Sequence, residues 1–386
     1  FVAKFNSTGT LLWNTFLGGN GSFDHATAIT VDGSGNTFVT GFSNATWGTP
    51  VTAYGGGDFD AFVAKVDTSG VLQWNTFAGG SGIDAAYGIV LDSSGNSYIA
   101  GNSNTTWGTP VRAYSSAEDG FIAKLSSTGS LTWNTFVGGT GNDRADDLAI
   151  DASNNVYGVG YSNATWGSAV RSYSSGQDAI AFKLDSSGAL TWNTFLGGSG
   201  TDYLGKIAID SSGNSYLSGN SNATWGTPVT AYSSAADALV VKLNSSGTLT
   251  WNTFLGGSGT DVARGIGIDS YGNVHVAGYS TASWGTPWQA YNSGTDAWVT
   301  QLSGSGATSA IGYLGGSGTD IVLGMALDSS GDIYVGGYSS ATWGSPVRSY
   351  QSGTDGWVAK VAALTSVVRN TNDSGAGSLR QAITDA

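Results

Sequence analysis

The sequence predicts an all-β protein, a β-propeller built of four-stranded antiparallel blades. Three observations lead to this fold class: a period of 59 residues, four strand-like segments in each period, and tight turn signals that join those segments in pairs. The period is clearest in the motif "WNTF" and its degenerate copy "AIGY", which begin at Trp13, Trp74, Trp133, Trp192, Trp251 and Ala310. Such an internal repeat decides the architecture before any single motif is weighed.

The unit 197–255 shows the four segments in order. We name them strand a ("KIAID", 206–210), strand b ("SYLSG", 215–219), strand c ("ALVVKL", 238–243) and strand d ("LTWNTFL", 249–255). The connectors "SSGN" and "NSSGT" place a glycine where a type I turn followed by a left-handed residue closes a hairpin. No segment before residue 366 keeps a helical period. Each unit is therefore predicted to contain two tight hairpins joined by one long b-to-c loop.

The order of the segments predicts the number of blades. The chain supplies strands c and d first, then five full sets, and finally strands a, b and c. Seven copies of strand c predict seven blades, with the first and the last incomplete. The first blade would lack strands a and b because the sequence starts after them. The last blade would lack strand d, which an upstream strand would supply. Six blades, with residues 1–16 completing the last one, is the alternative.

Two stretches carry a family resemblance. "FLGGSGTDYLGKIAIDSSGNSYLSG" (195–219) and "YLGGSGTDIVLGMALDSSGDIYVGG" (313–337) resemble the SBBP-type β-propeller repeat of bacterial proteins. The resemblance covers residues 1–361 and implies a seven-bladed propeller domain in a secreted or surface-exposed bacterial protein, with no catalytic activity.

Residues 362–386 break the period and are predicted to be a linker and the truncated start of a downstream domain. Ser378 and Gln381 form a capping box that opens a short amphipathic helix. The stretch resembles the entry to a right-handed parallel β-helix found in some bacterial surface proteins. The predicted domains are therefore 1–361 and 362–386.

Composition excludes several classes of function. The net charge is −13, which argues against nucleic acid as a partner because nucleic acid requires a basic face. Cysteine is absent, which excludes disulfides, thiolate metal sites and cysteine nucleophiles, and fits an exported protein. No apolar run approaches the roughly eighteen residues that a membrane-spanning helix needs.

Two acidic motifs superficially suggest a metal. "GGSGTD" (197–202) resembles the calcium-binding RTX repeat, but it occurs once per period, so no adjacent copy can complete the ligand shell. Its aspartate is predicted to cap backbone N–H groups, and the "DSSGN" copies are predicted to be hairpin turns. We predict no metal and no cofactor.

Catalysis has few candidate residues. His25, His275 and Glu118 are each single departures from the repeat, and no serine nucleophile motif stands beside either histidine. We predict no catalytic residue.

Two further repeats have structural explanations. The tryptophans Trp74, Trp133, Trp192 and Trp251 resemble the docking tryptophans of quinoprotein propellers, which stack across a neighbouring blade. The lysine of "FVAK" on strand c is predicted to pack its stem on an aromatic ring.

The long b-to-c loop holds the candidate binding residues. Its sequence, "SNATWGTPVTAY" in the first copy, repeats one Trp and one Tyr per blade. The candidates are Trp47, Trp107, Trp166, Trp225, Trp284 and Trp343, with Tyr54, Tyr114, Tyr173, Tyr232, Tyr291 and Tyr350. These aromatics could pack under their own loop, or they could form platforms on which sugars stack.

The sequence favours a non-enzymatic scaffold or adhesion module of a large secreted bacterial surface protein, located at the cell surface or outside the cell. Glycans, surface proteins and the downstream β-helix domain are the expected partners. A carbohydrate-binding propeller that uses the loop aromatics is the first alternative. A polysaccharide-active enzyme is the second.

Overall fold

The computed structural model describes residues 1–20 and 23–364. Within these residues, five sheets have four strands in the order a-b-c-d, one sheet has three strands and one has two. All strand pairs inside the sheets are antiparallel. The predicted fold class, a propeller of four-stranded antiparallel blades, is confirmed.

The strands follow the predicted segments. The a strands are β3 (Asp24–Val31), β7 (Asp84–Leu91), β11 (Asp143–Ile150), β15 (Asp202–Ile209), β19 (Asp261–Ile268) and β23 (Asp320–Leu327). The b strands are β4 (Thr37–Ser43), β8 (Ser97–Ser103), β12 (Val156–Ser162), β16 (Ser215–Ser221), β20 (Val274–Ser280) and β24 (Ile333–Ser339).

The outer strands repeat with the same regularity. The c strands are β1 (Val2–Phe5), β5 (Asp60–Val66), β9 (Asp119–Leu125), β13 (Asp178–Leu184), β17 (Asp237–Leu243), β21 (Asp296–Leu302) and β25 (Asp355–Val361). The d strands are β2 (Leu11–Thr15), β6 (Leu72–Ala78), β10 (Leu131–Val137), β14 (Leu190–Leu196), β18 (Leu249–Leu255) and β22 (Thr308–Leu314).

The "DSSGN" copies are hairpin turns, as the sequence predicts. Oδ1 of Asp92 accepts hydrogen bonds from the backbone N–H groups of Ser94 and Asn96, both at 2.9 Å. Gly95 has a φ of +78°, the left-handed conformation that closes the turn. The carboxylate is therefore used by its own turn.

The blade count depends on the two ends. Six of the sheets contain an inner strand a, while β1 and β2 pair with each other and form a separate two-stranded sheet. This sheet packs on the blade β3–β6, where Val2 joins a cluster with Val39 and Phe62. Residues 1–16 thus lie beside the first full blade in the described structure, and no pairing joins them to β25.

Tryptophan docking joins neighbouring blades, as predicted. The indole N–H of Trp192 donates to the carbonyl of Ser245 in the next blade at 3.2 Å, and that of Trp251 donates to the carbonyl of Gly304 at 3.1 Å. The strand c lysines also behave as predicted, since Nζ of Lys183 lies 4.5 Å from the centre of the Tyr157 ring.

The two ends of the array expose apolar side chains that the internal blades bury. Ile29 on β3 is 57% exposed, whereas its counterpart Ile207 on β15 is 8% exposed. At the other end, Val358 on β25 is 64% exposed, whereas its counterpart Val240 on β17 is fully buried. The difference arises because each internal blade covers the face of its neighbour, and these two faces have no full blade against them.

This difference predicts unequal costs for the same substitution. Ile207→Ala should lower the free energy of unfolding by about 2–5 kcal/mol, the usual range for a buried isoleucine. Ile29→Ala should lower it by less than about 1 kcal/mol, because the side chain is half exposed. Urea midpoints of the two variants test the comparison, and equal losses would show that the face of β3 is covered in solution.

No helix among the described residues is long and apolar enough to span a membrane. The predicted capping box and β-helix start fall on residues 365–386, outside the described residues.

Candidate functional site

A β-bulge occurs at the same place in all six inner strands. The register between strands a and b shifts across the fourth residue of strand a in each blade, between Ala26 and Ala28 in the first and between Val322 and Gly324 in the last. The remaining four blades shift at the equivalent place. A bulge bends the strand and redirects a side chain, and bulges are common beside functional sites.

The bulged residue differs in every blade. The six residues are Thr27, Tyr87, Asp146, Gly205, Arg264 and Leu323. The first residue of strand a is aspartate in all six copies, and the second residue, like the bulged one, differs in all six. All six bulged residues line one cavity of about 150 Å³, which we call the axial cavity. Six equivalent positions therefore converge on one place and supply six different chemistries.

The axial cavity lies at the middle of the inner strands. The bulged residue is the fourth of the eight residues in each strand a. Other lining residues come from the same strands, among them Arg144, Tyr203 and Lys206.

One wall of the cavity is a buried ion pair. Nε of Arg144 donates to Oδ1 of Asp146 at 2.6 Å, and Nη2 approaches the same oxygen at 2.5 Å. The guanidinium also lies over the ring of Tyr87, 3.9 Å from its centre. Burial works against the charged form, but Asp146 and the neighbouring tyrosines raise the pKa of Arg144 above its ordinary value, so the cation persists.

The other charged groups are held more loosely. Nζ of Lys206 lies 3.9 Å from Oδ2 of Asp147, which also accepts a hydrogen bond from the backbone N–H of Ile207 at 3.3 Å. Burial raises the pKa of Asp147 above its ordinary value, against the effect of Lys206. Burial and the Asp146 carboxylate raise the pKa of Tyr203, which therefore remains a neutral hydroxyl near pH 7.

Arg264 has no carboxylate within 4.0 Å among the described residues. Its Nε is buried and has no hydrogen-bond acceptor. Its guanidinium carbon lies 6.0 Å from the centre of the Tyr279 ring. The axial cavity thus contains a cation that the described part of the chain does not neutralise.

The candidate tryptophans of the long loop are mostly enclosed. Trp47, Trp107, Trp166, Trp225 and Trp284 are between 4% and 8% exposed, and Trp343 in the three-stranded blade is half-buried. Trp47 meets Phe62 edge-on with ring centres 5.4 Å apart, and its carbonyl accepts a hydrogen bond from Nδ2 of Asn75 at 2.8 Å. Packing under the loop explains why these tryptophans recur and are buried. Ligand binding by their rings stays a prediction.

The candidate tyrosines fasten the same loop. Their hydroxyls donate to loop carbonyls, as that of Tyr232 does to Ala235 at 2.8 Å, and the ring of Tyr232 meets Phe254 with centres 5.6 Å apart. The equivalent hydroxyl bonds are made by Tyr54, Tyr114, Tyr173, Tyr291 and Tyr350. All six tyrosines are half-buried.

The loop also runs along the outer edge of the blade. The backbone N–H of Val51 donates to the carbonyl of Asn75, and that of Phe77 donates to the carbonyl of Thr52. Two loop arginines are engaged as well: Arg171 donates to the carbonyls of Phe195 and Gly197 at 2.9 and 2.7 Å. Covering strand d protects the outer edge from pairing with other chains.

Buried aspartates meet at the blade junctions. Oδ2 of Asp202, the aspartate of "GGSGTD", accepts the backbone N–H of Gly198 at 2.9 Å, the capping role predicted from the sequence. Asp178 at the start of the preceding strand c caps the long loop through the N–H of Ser174 at 2.7 Å. Among the described residues, no three His, Asp or Glu side chains gather around a common point where a metal could bind.

Of the predicted single departures, His275 is a buried strand side chain whose Nε2 lies 2.9 Å from Oδ2 of Asp269. The residues of the axial cavity were not predicted from the sequence. The fourth residue of strand a differs in all six copies, but so does the second, so an alignment of the copies narrows the variable positions without isolating the bulge.

The fold and its repeated blade define the chain as a β-propeller. The SBBP β-propeller repeat profile matches residues 191–224 and 250–283, two copies of the segment that runs from strand d through strand b. These matches support an SBBP-type propeller.

Other comparisons are distant. An uncharacterised WD repeat-containing protein of Acanthamoeba polyphaga mimivirus is 22% identical over 371 residues, and the match covers 73% of this chain. The chain spans only 26% of the length of that relative.

The fold of the chain is similar to that of several solved structures, of which we describe two. A protein of unknown function from Dyadobacter fermentans has a TM-score of 0.45 at 10% identity, and the match covers 87% of this chain and 93% of that one. Hydrazine synthase of Kuenenia stuttgartiensis has a TM-score of 0.44 at 11% identity, and the match covers 75% of this chain and 76% of that one.

Proposed function

We propose that the chain is a non-enzymatic scaffold and binding module of a large secreted bacterial surface protein. One observation supports binding above all: the six blades repeat one structure, yet their six bulges present six different residues to the axial cavity. In a repeat protein, uniform positions maintain the scaffold, and positions that differ between copies are available for recognition.

Arg144 and Tyr203 fit binding better than acid–base chemistry. Arg144 holds Asp146 as a fixed ion pair, and Tyr203 keeps its proton at neutral pH. General acid–base catalysis instead requires a group whose pKa lies near the working pH and which can reach the substrate. The export part of the proposal is supported by the absence of cysteine.

The alternative of a lectin that uses the loop aromatics receives less support from the geometry. Five of the six tryptophan rings are enclosed, and the tyrosine hydroxyls are used by their own loops. Sugars would reach these rings only after the loops had moved away from strand d. A polysaccharide-active enzyme remains the other alternative.

A glycan array probed with the labelled chain tests the proposal. We expect a signal that Tyr87→Ala reduces by about tenfold, because Tyr87 lines the cavity, and that Tyr232→Phe leaves unchanged. A signal lost only in Tyr232→Phe would favour the loop-based lectin. Product release from polysaccharide pools would overturn the non-enzymatic assignment.

A further inference from the structure

The axial cavity is more basic than the protein around it. Its charged lining residues are Arg144, Lys206 and Arg264 against Asp146, in a chain whose net charge is −13. Counting also Asp147 beside Lys206 and Glu118 near Arg144, cations and carboxylates are equal in number, whereas the chain as a whole is strongly acidic. Cations gathered in a cleft of an acidic protein focus the field on that cleft and attract small anions.

These three cations are also the ones that depart from the repeat. Among the described residues, the other lysines lie on strand c and the other arginines lie in the long loop, where the same position recurs from blade to blade. No other copy of strand a has a lysine or arginine at the positions of Lys206, Arg144 and Arg264, although His25 stands at the position of Arg144. Basic residues that the blade does not need have thus been placed at one cavity.

The three cations are not equally available. Arg144 is committed to Asp146 through contacts of 2.5 and 2.6 Å, and Lys206 has Asp147 at 3.9 Å. Arg264 is partly buried, its Nε has no acceptor, and no described carboxylate lies within 4.0 Å of it. A shielded guanidinium without a counter-charge is unfavourable, and an anion with two acceptor oxygens would satisfy it in a bidentate geometry.

We propose that the axial cavity binds a small carboxylate ligand, with Arg264 pairing with the carboxylate and Lys206 contributing a second positive charge. The cavity volume is about 150 Å³, so the cavity has room for several water molecules. This volume suits a ligand of monosaccharide size or smaller. Tyr87 and Tyr203 add aromatic surface and hydroxyl groups, which suit the ring of an acidic sugar.

This inference rests on the proposed function, because it names the ligand class of the same cavity. Isothermal titration calorimetry of the whole chain with galacturonate, acetate and galactose tests it. Galacturonate and galactose share a ring and differ in the carboxylate, so their comparison isolates the charge. Acetate carries the carboxylate alone and separates recognition of the acid from recognition of the sugar.

We expect galacturonate to bind at least about tenfold more tightly than galactose, because one charge-assisted hydrogen-bonded pair contributes about that much affinity. Arg264→Gln should weaken galacturonate binding by about tenfold or more, and Arg264→Lys by less, because lysine keeps the charge without the bidentate fork. Arg348→Gln is the matched control: it removes the same charge from an exposed loop and should change affinity by less than about twofold. Thermal unfolding of each variant establishes that it is folded.

The outcomes separate the two proposals. Equal affinity for galactose and galacturonate without acetate binding that depends on Arg264, or galacturonate binding that Arg264→Gln leaves intact, would overturn the carboxylate site while a binding module could still stand. Turnover of a polysaccharide would instead overturn the proposed function. Acetate binding that is lost in Arg264→Gln would support the site even if galacturonate were too large to enter.

Discussion

Trp192→Ala is expected to lower the free energy of unfolding by about 3–5 kcal/mol, the largest loss that we predict for a single substitution. Trp192 is 8% exposed and joins two blades, since its indole N–H donates to the carbonyl of Ser245. Its ring also covers Gly247, where an added Cβ would lie 2.7 Å from the ring. The substitution therefore removes buried apolar area, a hydrogen bond and a contact between blades together.

A double-mutant cycle isolates the contact between the blades. Gly247→Ala alone should be destabilising, because Gly247 has a φ of +80° and the new methyl group would collide with Trp192. In the Trp192→Ala background the collision is removed. The free-energy cost of Gly247→Ala should then fall to that of placing alanine in a left-handed backbone conformation, about 1 kcal/mol.

Tyr271→Ala is the control for these measurements. Tyr271 is 78% exposed in a hairpin turn, so its loss should change the urea midpoint little. Full additivity of Trp192→Ala and Gly247→Ala would mean that the two residues do not touch in solution.

The second large effect concerns pH: the protein should unfold at a higher temperature near pH 5 than near pH 8, by about 3 °C or more. Burial raises the pKa of Asp60 to about 7, with a contribution from the neighbouring Asp84. Burial likewise raises the pKa of Asp143, Asp261 and Asp296 to about 6. These residues stand in pairs at the blade junctions, where the two carboxyl groups approach the same glycine.

The sign follows from linkage. A carboxyl group with a raised pKa in the folded state contributes stability below its unfolded pKa of about 3.8, and this contribution is lost as the pH rises through 6 to 7. The turn aspartates act in the opposite direction. Burial opposes ionisation of Asp92, but hydrogen bonds from Asn96 and Ser94 outweigh it and lower the pKa, so that contribution is lost only below about pH 4. Stability should therefore peak at mildly acidic pH.

Asp60→Asn tests the assignment of this effect. An amide in place of the carboxyl group still accepts the N–H of Gly55 and carries no charge toward Asp84. The variant should melt like the parent near pH 5 and at a higher temperature near pH 8. Asp58→Asn, at an exposed neighbouring position, should leave the pH profile unchanged. A melting temperature that rises steadily from pH 5 to pH 8 in the parent protein would contradict the prediction.

The sequence predicts the blade almost completely, because local rules fix its parts. The glycine of each hairpin turn, the alternation along each strand and the docking tryptophans all recur, and they fold as expected. The arrangement of β1 and β2 could not be settled in this way. Whether those strands join β25 or pack on β3–β6 depends on tertiary contacts, which no local pattern records.

The candidate site shows where reasoning from repeats is weakest. The loop aromatics attracted attention because they recur, and five of the six tryptophans prove to be buried by their own blades. Arg264 and Asp146 lie far apart in the sequence and are single departures within short strands. Their convergence follows from the bulges and from the arrangement of the inner strands around one cavity, which only the three-dimensional structure reveals.

A crystal structure of the chain soaked with galacturonate tests the central claim, that the six bulges form the ligand site, most directly. The account predicts density for the sugar acid in the axial cavity, with its carboxylate within hydrogen-bonding distance of Arg264. Density stacked on the long-loop aromatics, with only water in the axial cavity, would contradict it.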